Sequence, residues 1–216
     1  MIHKENRRMG IKKHKVFISY YHQDDQKYKN ELLRLNKQYD IFDNYSVPEN
    51  EVDDRGKTRE SIRRIIRDKY IKDATVLILL CGKNTSRRKF IDWELHAAMY
   101  DTEKNHRMGI LVINLPTIKE QYELAGEEND KRLIDDTNAN WISLSEEKEY
   151  KNAFPYMPSR IMNNLVKDVP ITTVNWSKIS HNPHVLKALI HNAFSRRKRI
   201  VYKNDAKLKS SNSKLL

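Results

Sequence analysis

The sequence predicts an α/β fold: an open, mostly parallel sheet with helices on both faces. Two apolar runs, Thr75 to Cys81 and Gly109 to Leu115, are rich in Val, Ile and Leu and carry no charge, as parallel strands buried on both faces do. Segments of helical periodicity alternate with strand-like ones in the order βαβαβαβ as far as Pro116. With 216 residues, 32% of them charged, the chain can bury a sizeable core as one large domain with tails.

The first strand is His14 to Tyr20, followed by a turn through Tyr21, His22 and Gln23. Asp24 or Asp25 is the expected cap of a helix in which Tyr28, Leu32 and Leu35 share one face. Asp40 to Asp43 reads as a brief second strand. It leads into a polar loop over 44–56, long enough to suggest a functional role. Thr58 is placed to cap a helix over Ser61 to Tyr70, with Ile62, Ile65, Ile66 and Tyr70 as its apolar stripe and Arg59, Arg63 and Arg67 away from it. The third strand, to Cys81, breaks at Gly82 to Ser86. A helix capped by Thr85 or Ser86 then carries Phe90 to Tyr100.

Beyond Pro116 the periodicity fades. Tyr122 to Asp136 reads as an acidic surface insertion, Trp141 to Leu144 as a short edge strand, and Ile161, Leu165 and Val166 as a helix face. Ile171 to Trp176 is β-like, and Val185 to Phe194 forms an amphipathic helix capped near Asn182 and Pro183, giving a C-terminal helical extension.

The net charge of +12 lies wholly in the ends. Residues 1–15 carry +5 and residues 196–216 carry +7, so the body between them is neutral. The expected organisation is a basic disordered tail over 1–13, a domain over 14–202 and a second disordered basic tail over 203–216. Nucleic acid is therefore not an expected partner, although the tails could touch RNA, an anionic surface or another protein. No apolar run approaches the ~20 residues of a membrane helix, and the basic start has no apolar core behind it, so a cytoplasmic location is expected. The single cysteine, Cys81, excludes an internal disulfide and a thiolate cluster. No G-x-G-x-x-G, Walker A, H-E-x-x-H or C-x-x-C pattern occurs, so neither a phosphate cradle nor a dedicated metal site is indicated. His14, His96 and His106 read as surface residues.

Glu94 breaks the pattern of its helix. With Phe90 at zero on a wheel of 100° per residue, Glu94 falls at about 40°, inside the arc of Phe90, Ile91, Ala97 and Ala98. The solvated arc is marked by Lys89, Asp92 and His96. An unpaired buried carboxylate costs several kcal/mol or shifts its pKa. Glu94 is therefore expected either to pair with one of Arg63, Arg64 and Arg67 or to line a cleft. In open α/β sheets the cleft lies beyond the carboxyl ends of the strands. That places Ser19, Tyr20, Tyr21 and His22 after strand one, Asp43 and Asn44 after strand two, and Gly82 to Thr85 after strand three. Aromatic walls, hydroxyls and one carboxylate suit a ligand with flat rings and sugar hydroxyls.

Taken together, Lys15 to Tyr20, the Asp24-Asp25 turn, Asp73 to Gly82 and Phe90-Ile91-Asp92-Trp93-Glu94 resemble the Toll/interleukin-1 receptor (TIR) domain family. More narrowly they resemble the bacterial TIR-like branch that includes the TIR component of Thoeris antiphage systems. Tyr156 to Ile161 and Val174-Asn175-Trp176 look typical of the same branch. The resemblance implies a flavodoxin-like sheet and, in enzymatic members, cleavage of the nicotinamide-ribose bond of NAD⁺. The product is often a cyclic ADP-ribose-type signal for an effector protein. No cofactor is implied beyond NAD⁺ as substrate, and self-association of TIR domains is expected.

The family's W-x-x-x-E motif maps its glutamate onto Glu94 as the catalytic residue and places Phe90 at the tryptophan position, with Trp93 nearby. Tyr21 and His22 stand where several members carry arginines that contact NAD⁺. A non-catalytic interaction module, docking through the 44–56 loop and the helices, is the alternative the same resemblance allows.

Overall fold

Alternate residues of the first strand point to opposite sides of the sheet, and this sorts the apolar residues into two cores. A computed structural model describes residues 12–46, 56–103, 106–118, 122–134 and 141–212. Strands β1 (Lys15–Ser19), β2 (Asp43–Asn44), β3 (Val76–Cys81), β4 (Gly109–Asn114) and β5 (Thr172–Asn175) form one all-parallel sheet in the order β2-β1-β3-β4-β5, the flavodoxin-like order. β3 and β4 are buried along their whole length, as their uncharged runs predict.

One core lies between the sheet and helices α1 (His22–Tyr39), α7 (Trp176–Ile179) and α8 (Pro183–Arg196). It holds Val16, Ile18, Leu32, Ile78, Leu111, Leu186 and Leu189. The other lies under α3 (Lys89–Met99) and α6 (Ser159–Leu165) and holds Phe17, Leu77, Leu79, Trp93, Leu95, Ile110 and Ile161. Gly109 is required where α8 crosses β4, because a Cβ there would lie 2.0 Å from the Ala193 carbonyl oxygen. The expected C-terminal helices are present, and α8 lies directly on the sheet.

Several expectations are corrected. Asp24 and Asp25 do not cap α1; they occupy its first turn, and Tyr21 is the N-cap residue. α2 (Arg59–Ile65) does start as expected, with the Ser61 N–H donating to Thr58 Oγ1 at 3.1 Å. It then widens into a π-helical turn over Ile66–Ile71, which carries Arg67 into a buried position where Nη2 donates to Thr102. Thr85–Arg87 forms a 3₁₀ turn and caps nothing. Thr85 Oγ1 instead accepts the Gly82 N–H. The edge strand at Trp141 reduces to one bridge with Glu123.

The acidic insertion is not solvated throughout. Leu124 pairs with Thr173, Glu123 Oε1 accepts the Asn175 N–H, and Asp130, at the start of α4 (Glu128–Leu133), pairs with Arg196 in the interior. This segment covers the free edge of β5, which would otherwise present unpaired backbone. His14 is buried as well, stacked on Phe194 and hydrogen bonded to His191, and burial pushes its imidazole down to about 4.

The largest correction concerns the C-terminal segment. The described part of the expected disordered tail, residues 203–212, lies along α3 and covers its outer arc. Asp92 and His96, expected in solvent, are therefore buried. Arg160 from α6 makes a two-pronged pair with Asp92 at 3.0 and 3.2 Å and also holds Asn204 Oδ1, while the Asn204 amide donates to the His96 carbonyl. The Lys209 N–H donates to Asp92, Trp93 Nε1 donates to the Lys209 carbonyl, and Asn212 Oδ1 accepts the Lys89 N–H in the first turn of α3. A composition of Lys, Ser and Asn offers little to bury. The segment is ordered by polar groups that α3 and α6 leave to be satisfied. Residues 1–11 lie outside the described set, whereas Lys13 bonds Asp40 at 2.9 Å.

Removing one partner of the Asp92-Arg160 pair leaves a buried charge uncompensated. Arg160→Ala is expected to cost about 3–5 kcal/mol in urea unfolding, and Asp92→Leu combined with Arg160→Met to cost much less. A loss below about 1 kcal/mol for the single variant would show that the pair does not hold the segment.

Candidate functional site

Glu94 lies in the middle of α3, one turn after Phe90 on the same face. Its helix packs on the sheet side that receives Phe17, Ser19 and Tyr21, whereas Val16, Ile18 and Tyr20 face the side of α1 and α8. Ser19, the last residue of β1, is buried, and its Oγ donates to Glu94 Oε2 at 2.6 Å. Among the described residues this is the carboxyl's only hydrogen-bond partner, and no described arginine pairs with it. Burial pushes its pKa up to about 7, against a downward pull from the Ser19 hydrogen bond.

The structure thus brings together Glu94, Ser19, Phe90 and Tyr21 at the carboxyl ends of β1 and β3, where the strand order reverses. It separates the other expected site residues. Tyr20 donates its hydroxyl to Gln26 Oε1 on the opposite side of the sheet, with the Lys29 ammonium 4.9 Å over its ring. His22 is exposed and meets Tyr20 edge-on. Asp43 and Asn44 pair with Lys15 and Val16, at the start of β1, because β2 begins three residues later than expected. By strand rise that is roughly 10 Å from Ser19. Trp93 is buried, with its edge against Phe90 and its indole N–H bound to the Lys209 carbonyl.

Other residues at the mouth were not expected. Ser46 Oγ accepts the Ile18 N–H at 2.8 Å and so closes the end of the β1-β2 pairing. The Arg88 guanidinium stacks 3.6 Å above the Tyr21 ring. Asp25 is wholly buried, and both its oxygens lack a hydrogen-bond partner. They press on Gly82, where an added Cβ would lie 2.6 Å from each. Burial, reinforced by neighbouring Asp24, pushes Asp25 up to about 7. Its position was legible, since Asp25 stands three residues before Tyr28 and seven before Leu32 on the apolar stripe of α1. Arg88 gave no such signal: a cation before a helix reads as surface.

A small cavity between Cys81, Asn114, Ile118, Phe154 and Met157 adds little chemistry, because burial pushes the Cys81 thiol far above its usual range. Among the described residues no helix is long and apolar enough to cross a membrane.

Comparison with known proteins gives one match to a family model. Residues 17–120 match the model described as Thoeris protein ThsB, TIR-like domain. No curated protein matches the chain. Among solved structures, the TIR domains of the activated Roq1 resistosome directly recognizing the pathogen effector XopQ are similar at 15% identity over 84% of each chain, with a TM-score of 0.33.

The two raised carboxyls set a pH dependence of stability. Each binds its proton more tightly in the folded chain than in the unfolded one. Their contribution is full below about pH 4 and is lost as pH rises through 7. Glu94→Gln and Asp25→Asn should therefore each stabilise the fold at pH 8 by about 1–3 kcal/mol and change little at pH 4. Urea midpoints at the two pH values check this. Destabilisation by Glu94→Gln at pH 8 would contradict the inward carboxyl with no described cation beside it.

Proposed function

We propose that this chain, whose residues 17–120 match the model described as Thoeris protein ThsB, TIR-like domain, is an NAD⁺-consuming enzyme which breaks the nicotinamide-ribose bond. The observation that carries this reading is the Glu94 carboxyl, turned onto the apolar side of α3 and fixed by Ser19 at 2.6 Å, with no described cation to neutralise it.

As nicotinamide leaves, the ribose becomes electron-poor and oxocarbenium-like. A carboxylate held in a low-dielectric recess stabilises that charge more than water would, or holds the ribose hydroxyls. A carboxyl poised near neutrality ionises readily when a positively charged pyridinium ribose arrives beside it. Ser19 orients the carboxyl, and Phe90 and Tyr21 offer ring faces on the same side. Exclusion of water would favour attack by a group of the substrate itself, giving a cyclic ADP-ribose-type product. In this reading the product activates a partner effector in antiphage defence, the chain works in the cytoplasm without further cofactor, and copies self-associate through their TIR domains.

A non-catalytic docking module is the second reading. It is favoured by Trp93 and Tyr20, both turned away from Glu94, which leaves a sparser aromatic wall. It expects no nicotinamide release at any pH.

The enzymatic reading expects nicotinamide release with kcat/KM rising through about pH 7 as Glu94 ionises. Glu94→Gln should lower it on the order of 10²–10³-fold with the fold intact. Ser19→Ala removes a bond that favours the ionised form, so the rising limb should move to higher pH while the rate falls. Full turnover by Glu94→Gln would remove the proposed chemistry.

A further inference from the structure

Buried polar atoms without partners concentrate beside the Glu94 site. Eight such side-chain atoms occur among the described residues, and five belong to Asp25, Asn84, Arg87 and Arg88, in the segments that follow β1 and β3. Leaving one buried donor or acceptor unpaired costs about 1–3 kcal/mol. The two donors among them, Arg87 Nη1 and Arg88 Nε, call for an acceptor, whereas the Asp25 and Asn84 oxygens are acceptors and are not satisfied by the same group.

Arg88 is the most telling of the four. Its guanidinium has five N–H donors, none bonded to a described protein acceptor, and Nε is buried and unpaired. Only the Tyr21 ring holds it, with the guanidinium carbon over the ring 3.6 Å from its centre. Stacking fixes the plane of the guanidinium and leaves its edge free to make paired hydrogen bonds to a phosphate. Arg87 beside it has Nη1 buried and unpaired.

The position of this cation relative to Glu94 follows from the elements that carry the two. Ser19 meets Glu94, and two residues further along the chain Tyr21 meets Arg88, which lies six residues before Glu94. Two extended residues past the end of β1 separate the two contacts by at most about 7 Å, and the partners lie about 9 Å apart from the residue before α3 to its middle. Phe90 lies between them on the same helix. A sugar held at the carboxyl would thus have its 5′ phosphate within reach of the guanidinium.

We propose that Arg88, with Arg87 beside it, is the diphosphate-binding clamp of this cleft, supplying from the α3 side the positive charge that Tyr21 and His22 do not supply after β1. The inference rests on the reading of the cleft as a nucleotide site. It adds the residues that take the diphosphate of that nucleotide.

Binding of ADP-ribose to the full chain, measured by calorimetry, tests the clamp separately from the chemistry. Arg88→Ala should weaken binding at least tenfold and flatten its salt dependence, and Arg88→Lys, which keeps the charge but not the stacked, two-pronged edge, should recover only part of the affinity while restoring the salt dependence. If Arg88→Ala unfolds the chain, Arg88→Gln keeps the stem over Tyr21 and is expected to weaken binding in the same way. Equal affinity of wild type and the neutral variant would overturn the clamp and leave Glu94-dependent nicotinamide release standing. No binding of ADP-ribose by the wild type would overturn both.

Discussion

A carboxyl on the apolar side of a helix must find a polar partner, and in this fold the last residue of β1 provides it. The Ser19-Glu94 hydrogen bond ties the strand at the sheet's switch point to the helix that covers it. It depends on the alternation of β1: Ser19 and Tyr21 face α3, while Ile18 and Tyr20 face α1. A slip of one residue would exchange the two sets and leave Glu94 against a tyrosine or an isoleucine. The bond does not fully offset the cost of burial, which is why the carboxyl stays poised near neutrality. The stability given up there is in keeping with the chemistry proposed for this group.

α3 is held on its other side by the C-terminal segment. Asp92, Trp93, His96 and Lys89 all bond to residues 204–212, and Arg160 joins that segment to α6. The helix therefore has a polar anchor on each flank, the sheet through Glu94 and the segment through Asp92. Supports of this kind fix the position of the Glu94 carboxyl closely, as the proposed chemistry would need. They also hold the Trp93 indole N–H against the Lys209 carbonyl, while Phe90 and Tyr21 pack on the same side of the sheet as α3.

Much of this architecture was legible in the residues. The uncharged runs of β3 and β4, the alternation up to Pro116 and the inward position of Glu94 each follow from local periodicity. What was not legible rests on partners distant in sequence. Asp92 and His96 lie on the polar arc of their helix, and only Arg160 and Asn204, some 70 and 110 residues away, make burial tolerable. Residues 203–212 have a composition that usually stays solvated, and their order comes from unsatisfied groups on α3. Asp43 and Asn44 were placed at the mouth by assuming that β2 ends level with β1, but register is a tertiary property. Tyr20 could have been excluded from the same strand's alternation. Arg88 could not have been found, since its stacking on Tyr21 requires the turn before α3 to meet the end of β1.

The chemistry proposed for this cleft depends on the ionisation of one group. A ¹³C NMR titration of side-chain carboxyls, with the Glu94 resonance identified by its loss in Glu94→Gln, measures it directly. A midpoint near 7 is the expected result. A midpoint near the ordinary glutamate value of about 4.3 would mean a solvated or cation-paired side chain and would contradict the inward, Ser19-bonded carboxyl on which the site is built.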